Sequence, residues 1–425
     1  MVRTIFLPKA VKLILGVLTD GGHEAYAVGG CVRDSLRGAE PKDWDICSPA
    51  PPETAAALIL AASSPETVKI LPIGLKHGGV TVLMDGEAYE ITTFRSDGPY
   101  SDHRRPDYVE WTDSLESDLS RRDFTVNTMA YNERRGLVDP FGGLNDLKDG
   151  LIRAVGSPSE RFREDALRIL RAMRFAAVLG FSIEAATEAA MGGRKALLAE
   201  ISAERIGAEL RGLLSAPSPS RVLDRHLDVV TVPIPEFAAY VRDPAAKALA
   251  LACLESCPSD LVSRLAALFV FLGAEAAGRA LRRLRFPTHD AGRVETLARD
   301  ASEPLAVRMG GAADAAHVKR LLSRMGPERL RSALALKKAM ATALGEDATP
   351  VEAASALLDA ILEAGQCYSL ASLAVDGNDL MSLGIPAGPE IGATLRMLLE
   401  RVMDGDLPNE RGALLGWAMG NRATT

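Results

Sequence analysis

The sequence predicts an α+β chain: a mixed-sheet head of about 150 residues, then helical domains over the remainder. Three observations carry that reading. Short β-rich runs punctuated by Gly, Asp and Pro fill the first third. Helical periods of apolar residues dominate from about residue 157 onward. Aromatic residues make up only 5% of the chain while alanine abounds, which disfavours an all-β design. At 425 residues the chain exceeds one ordinary core, so roughly two to four domains are expected.

The elements follow in order. Residues 9–20 carry apolar positions at helical spacing, and "EAYAVGG" reads as a short strand ending in a glycine turn. "SPAPPETAAALILAA" is a loop leading into a helix from about Glu53. "GGVTVLMDGEAYEITTF" is a hairpin turning at Asp-Gly. "RSDGPYSDHRRPDYVEW" has no apolar period and many turn residues, so a long loop is expected there. "GLVDPFGGLNDLKDGLIRAVG" adds a turn and one or two short strands. The helical part breaks at 215–220, 230–237, 285–290 and 345–350, without a fixed-period repeat.

A formal net charge of −7 does not advertise a nucleic-acid binder, so any basic surface must be local. Five scattered cysteines argue against a disulfide framework. Cys253 and Cys257, four apart, lack a second ligand pair and read as small buried residues. The N-terminus lacks a signal peptide's apolar core, and no run of 18 apolar residues predicts a membrane span. A cytoplasmic location is expected. The sequence does not fix the oligomeric state; a monomer is the working expectation.

The chemistry starts in "AVGGCVRDSLRGAEPKDWDI", residues 27–46. Asp43 and Asp45 stand on alternate residues, so on a strand they point to one side. Two anions so placed repel unless a cation lies between them. Magnesium takes hard oxygen ligands and fills its sphere with water and phosphate. The Gly29-Gly30 turn lets backbone N–H groups approach a triphosphate, and the segment after it offers a helix N-terminus and Arg33. Glu90, on the hairpin's second strand, is a candidate third acid for a two-metal cluster. A D-x-D alone also suits a surface loop; the preceding GG-x-x-R-D makes it specific.

These residues resemble the class II tRNA nucleotidyltransferases, the family of CCA-adding enzymes and bacterial poly(A) polymerases with a polymerase-β-like head. "AVGGCVRDSLRG…KDWDI" is similar to the family's first motif and "DLSRRDFTVNTMAYN" to its ribose-recognition motif. "RFREDALRILRAMRFAAVLGF" resembles its nucleobase-recognition motif, with "ISAERIGAEL" after it. Residues 375–411 resemble the tail of compact CCA-adding enzymes, and 220–365 match only weakly. The resemblance implies a head over 1–150, a neck over 151–215, a helical body over 216–345 and a tail over 346–425. It implies addition of CMP and AMP from CTP and ATP to a tRNA 3′ end, with Mg²⁺. Alternatives of the same chemistry are a CC-adding or A-adding enzyme or a poly(A) polymerase. A catalytically inactive RNA-binding relative is the alternative of another class, against which the intact D-x-D speaks.

By the same resemblance, Arg122 and Asp123 meet the ribose hydroxyls, with Asn127 in the same motif; Thr128 stands where alanine is usual. Asp165 and Arg168, three apart in what reads as a helix, would form the protein template. The carboxylate accepts from the amino group shared by cytosine and adenine, and the guanidinium donates to the ring acceptor beside it. Arg171 and Arg174 complete the expected nucleotide contacts. Asp102, Arg104 and Arg105 fall where the family carries a flexible element. For RNA, residues 317–340 hold seven Lys/Arg against one Glu, with Lys319, Arg320 and Arg324 as the candidate phosphate contacts; 279–286 is a second basic cluster. Few aromatics interleave, so duplex shape and backbone are the expected target. Val270 and Phe271 stand where larger relatives have the His-Asp of a phosphohydrolase. His289-Asp290 is read as a helix N-cap, and no such hydrolase activity is expected.

Overall fold

The computed structural model describes residues 4–64, 66–71, 74–75, 78–100, 106–304 and 314–422. It divides into two units, Met1–Ala238 and Ala239–Thr425. The first begins with α1 (Lys9–Asp20), which buries Val11, Ile14, Leu15 and Leu18, the stripe that a 3.6-residue period dictates. Then come β1 (Tyr26–Val28), α2 (Gly30–Arg37), β2 (Asp45–Ser48), α3 (Pro52–Ala61), β3 (Val68–Leu71), β4 (Gly79–Met84) and β5 (Glu87–Thr93). The β4–β5 hairpin turns at Asp85 and Gly86, both at positive φ, as the Asp-Gly dipeptide requires.

The stretch expected as one long loop is pinned at its base. Here β6 (Arg95–Asp97) and β7 (Val109–Trp111) form an antiparallel ladder of three residue pairs. Each strand is only three residues long and none of them is buried, so the alternation of Val109, Glu110 and Trp111 was too short to read as a strand. Asp102, Arg104 and Arg105 lie outside the described residues. After α4 (Leu115–Ser120) come β8 (Ala130–Asn132) and β9 (Gly136–Val138), and then α5 (Gly143–Asp149), where only turns and strands were expected.

Seven strands form one sheet in the order β3-β4-β5-β2-β1-β8-β9. The β2–β5 pair is parallel and the other neighbours antiparallel, so the sheet is mixed. Period-2 alternation separates its faces. Ala27 and Ile46 join a core with α1 and α3, whereas Tyr26, Val28 and Cys47 pack with Phe94, Leu115 and Leu119. Asp45 lies two residues before Cys47 and so projects from the second face.

Helices follow: β10 (Leu151–Ile152) leads to α6 (Pro158–Glu164), α7 (Leu167–Leu179), β11 (Ser182–Ile183), α8 (Ala185–Arg194), α9 (Ala203–Leu214) and α10 (Pro219–Val230). Here the structure corrects the sequence reading: Asp165 is not helical. It stands between α6 and α7 with φ −141° and ψ 100°.

Among its described residues the second unit has helices and no strand: α11 (Ala238–Arg242) at the division, then α12 (Pro244–Ser256), α13 (Leu261–Phe269), α14 (Ala274–Arg283), α15 (Thr288–Ser302), α16 (Ala315–Met325), α17 (Pro327–Leu344), α18 (Thr349–Glu363), α19 (Gly377–Ser382), α20 (Pro389–Asp404) and α21 (Arg411–Arg422). Packing of α16, α17 and α18 shares one core, from Val318 to Ile361, while Cys367 to Ala418 form another. The expected body–tail boundary at 345/346 thus falls inside the first of these. His289 and Asp290 lie in the first turn of α15, after Pro287 at the N-cap, so neither is the cap expected. All five cysteines are free. Among the described residues no helix is long and apolar enough to cross a membrane.

Candidate active site

The motifs of the first unit converge on one cleft of about 510 Å³. A larger cavity, about 1000 Å³, lies in the second unit between the starts of α13, α15 and α17. It gathers none of the motif residues, so the smaller cleft is the chemical candidate.

One wall is the turn into α2. Gly29 has φ 81° and ψ −126°, a backbone that disfavours any side chain. A Cβ there would also sit 3.3 Å from the Arg122 Nη1. The glycine therefore leaves the α2 N-terminus open to the cleft. Arg33, expected to point at phosphates, is instead buried and engaged: its Nε and Nη2 donate to the Asp34 carboxylate at 2.9 Å each, and its Nη1 to the Asn127 Oδ1 at 2.6 Å.

Asp43 and Asp45 line the floor, with Trp44 buried between them. Asp45 opens β2 whereas Asp43 precedes the strand, yet the alternation holds. Solvent reaches Asp45, but it sits deep enough that burial, then the charges of Asp43 and Glu90, push its pKa up to about 6. Glu90 faces Asp45 in register on the adjacent parallel strand. Among the described residues, however, no three His, Cys, Asp or Glu side chains converge as a ready metal cage. Glu90, expected as a third ligand, is thus a charged neighbour of the pair and does not line the cleft. Neither the Asp43 nor the Asp45 carboxylate has a hydrogen-bond or ion-pair partner among the described residues, which suits a hard divalent cation with water and phosphate completing its sphere.

The opposite wall is a network of arginines and acids. Asp118, fully buried, receives Arg121 Nη2 at 2.6 Å and Arg122 Nη2 at 3.2 Å. Asp123 accepts from Arg171 Nε at 2.8 Å, from Asn127 Nδ2 at 3.2 Å and from the Phe124 N–H at 2.9 Å. Burial alone would raise the Asp123 carboxyl; the Arg171 guanidinium and the Asn127 amide reverse this and hold it below the usual carboxylate range. Arg174 donates to Glu209 at 2.6 Å and lies 4.3 Å above the Phe175 ring, which Arg33 and Arg171 also approach at 5.5 Å each. It stands behind the cleft and is not part of its lining.

Asp165 and Arg168 both line the cleft but do not bond to each other. Arg168 donates to Glu164 at 2.7 Å and to the carbonyls of Arg161 and Arg121. Asp165 Oδ1 accepts the Leu167 N–H at 3.1 Å, and its Oδ2 takes Arg205 Nη2 at 2.7 Å. Asp118, Phe175, Arg205 and Glu209 were not singled out from the sequence, although all four stand inside the quoted motifs. The signal available was the i,i+4 spacing of Arg205 and Glu209 on one helix face.

Asp118→Ala should destabilise the first unit by about 3 kcal/mol in urea unfolding, because it removes a fully buried carboxylate that pairs with the half-buried Arg121 and Arg122. A loss below about 0.5 kcal/mol would mean that water replaces the carboxylate.

Basic residues 317–340 are mostly engaged. Arg320 pairs with Glu400 at 3.1 Å and with Asp404, Arg324 with Glu303 at 2.6 Å, and Arg331 and Lys338 with Asp359 and Glu352. Arg329 holds Asp300, and Lys337 donates to the Ala301 carbonyl. The apparent phosphate stripe is therefore largely an inter-helix ion-pair network; of the three candidates only Lys319 shows no such pair among the described residues.

Comparison with known proteins gives three family matches: the poly(A) polymerase head domain over residues 25–153, the RNA and SrmB-binding site of polymerase A over 180–239, and tRNA nucleotidyltransferase domain 2 over 262–418. The chain is 36% identical to the CCA-adding enzyme of Geobacillus thermodenitrificans over 415 residues, covering 96% of this chain and 95% of the relative. It is 36% identical over 412 residues to that of Limosilactobacillus fermentum, covering 95% and 94%. Among solved structures, the Bacillus stearothermophilus CCA-adding enzyme in complex with CTP superposes with a TM-score of 0.75 at 31% identity, over 99% of both chains.

Proposed function

The chain belongs to the class II tRNA nucleotidyltransferases, the family of the CCA-adding enzymes, and on that premise we propose that its motif cleft is the catalytic centre. The enzyme adds CMP and AMP from CTP and ATP to the tRNA 3′ end without a nucleic-acid template. One observation carries the placement of the chemistry. The Asp43 and Asp45 carboxylates are unpartnered among the described residues, while every other charged side chain lining the cleft is paired.

The family is metal-dependent, and Mg²⁺ held by Asp43 and Asp45 is our assignment. When bound, it supplies activation of the tRNA hydroxyl and charge compensation for departing pyrophosphate. The protein's own groups do the rest. The α2 N-terminus, kept open by Gly29 and Gly30, faces the triphosphate. Asp123 and Asn127, locked by Arg171 and Arg33, present fixed polar atoms to the ribose. Asp165 and Arg168 read the base edge, refusing uracil and guanine because those offer the opposite hydrogen-bond polarity. We keep the four-part division, with tRNA held by the helical parts, as part of the proposal, together with a cytoplasmic location.

Incubation with tRNAs ending one, two or three nucleotides short, with labelled CTP and ATP, should restore CCA and stop. Products limited to C, limited to A, or extended as long A tails would replace this reading by a CC-adding enzyme, an A-adding enzyme or a polymerase. No incorporation would overturn it.

For tRNA binding, replacing Lys319, Arg320 and Arg324 together should flatten the log–log salt dependence by about 0.9, one phosphate contact, because the two arginines are already neutralised. Binding titrations at several salt concentrations decide this. A change near 2.7, three contacts, would mean that those surface pairs open to RNA.

A further inference from the structure

We propose that Arg205, on α9, is a positioning residue that fixes the base-reading carboxylate of Asp165 and thereby sets nucleotide selectivity. The inference rests on the cleft being the nucleotide site.

Asp165 occupies the extended link between α6 and α7, where no helix holds its side chain in a set direction. Among the described residues, two contacts orient the carboxylate. Its Oδ1 is fixed by the Leu167 N–H at 3.1 Å, and its Oδ2 by Arg205 Nη2 at 2.7 Å. A carboxylate that must meet an exocyclic amino group needs its free lone pairs aimed. The planar guanidinium supplies that direction through a charge-assisted hydrogen bond. Arg168, three residues on, does not orient it: among the described residues its hydrogen bonds go to Glu164 and to two backbone carbonyls, none to Asp165.

Arg205 does little else. Asp165 is its sole acceptor among the described residues, and its Nη1 is buried with none. A guanidinium with one partner, lining a cleft, is poorly explained as architecture, since a buried arginine kept for stability normally satisfies several acceptors. One turn further along α9, Glu209 holds Arg174 and approaches Arg171. One face of this helix thus presents both counter-charges, positive for Asp165 and negative for the arginines of α7.

The test compares wild type, Arg205→Met, Arg205→Lys, Asp165→Ala and the double variant Arg205→Met/Asp165→Ala. The readout is kcat/KM for CTP, ATP, UTP and GTP on a tRNA lacking its CCA end. In Arg205→Met, preference for CTP over UTP should fall about ten- to hundredfold, mainly through a raised KM for CTP. Arg205→Lys should recover part of that preference, as a retained charge without the planar fork. In the double variant, selectivity should match Asp165→Ala alone, because Arg205 acts through that carboxylate.

Wild-type discrimination in Arg205→Met overturns the inference and leaves the function standing. An additive effect in the double variant also overturns it, since a general structural role would weaken all four nucleotides regardless of Asp165. If the wild-type protein itself incorporates neither CMP nor AMP, the functional reading has failed instead.

Discussion

Replacing Asp43 or Asp45 by alanine should lower nucleotide addition by about 10³-fold or more, with tRNA affinity changed by no more than a few-fold. The two carboxylates share one side of the chain at the mouth of β2, where burial, then the charges of Asp43 and Glu90, push the pKa of Asp45 up to about 6. No protein cation neutralises either by direct contact among the described residues, although Arg122 offsets Asp45 at longer range. Such a pair is costly without a metal, so its retention points to one. The substitutions remove charge from a crowded spot and should not unfold the head; a slight gain in thermal stability of the metal-free protein is consistent with this. Single-turnover rates with pre-bound tRNA separate the chemical defect from a binding defect. Turnover within tenfold of wild type in either variant would take that residue out of the catalytic centre.

The second large effect concerns base choice. On the proposed reading, Asp165→Ala removes the acceptor for the amino group of cytosine and adenine. Incorporation of UTP or GTP relative to CTP and ATP should then rise about ten- to hundredfold, the value of about 1–3 kcal/mol for one good edge contact. Arg168→Ala should instead depress both correct nucleotides by a similar factor, because each presents a ring acceptor at that place. Arg168 also ties α7 to the carbonyls of Arg121 and Arg161, so its loss loosens the wall that carries Asp123. The contrast between relaxed selectivity and a uniform loss is measured by competing all four nucleotides on one tRNA. Were both variants to keep wild-type rates and still refuse UTP and GTP, the base would be read elsewhere.

Much of this site was legible in the sequence because its signals are local. A glycine turn, alternate acids and an Asp-Gly hairpin each dictate backbone geometry within a few residues, and the strands and helices of the head form where those signals stand. What could not be read was partnership across distance. Asp165 and Arg168 are three apart, which suggested a shared helix face, yet the chain breaks its helix at Asp165 and gives it to Arg205, 40 residues on. Arg33 looked like a phosphate ligand, but folding brings Asn127 to it across 94 residues. The pairing of the basic stretch from 317 was hidden for the same reason. Counting charge along one helix ignores the acids that neighbouring helices bring to it, such as Glu400 and Glu303. The β6–β7 ladder escaped notice because its strands are three residues each, too short for a period of two to register among the turn residues around them.

In the proposed mechanism one cleft holds the metal on Asp43 and Asp45 and reads the base with Asp165 and Arg168. Anomalous scattering from crystals grown with Mn²⁺ and a non-hydrolysable CTP analogue tests both halves at once. The account requires a manganese peak against Asp43 and Asp45, the triphosphate at the Gly29-Gly30 turn, and the cytosine amino group within hydrogen-bond reach of Asp165. A manganese peak or a cytosine ring bound away from these residues would contradict it.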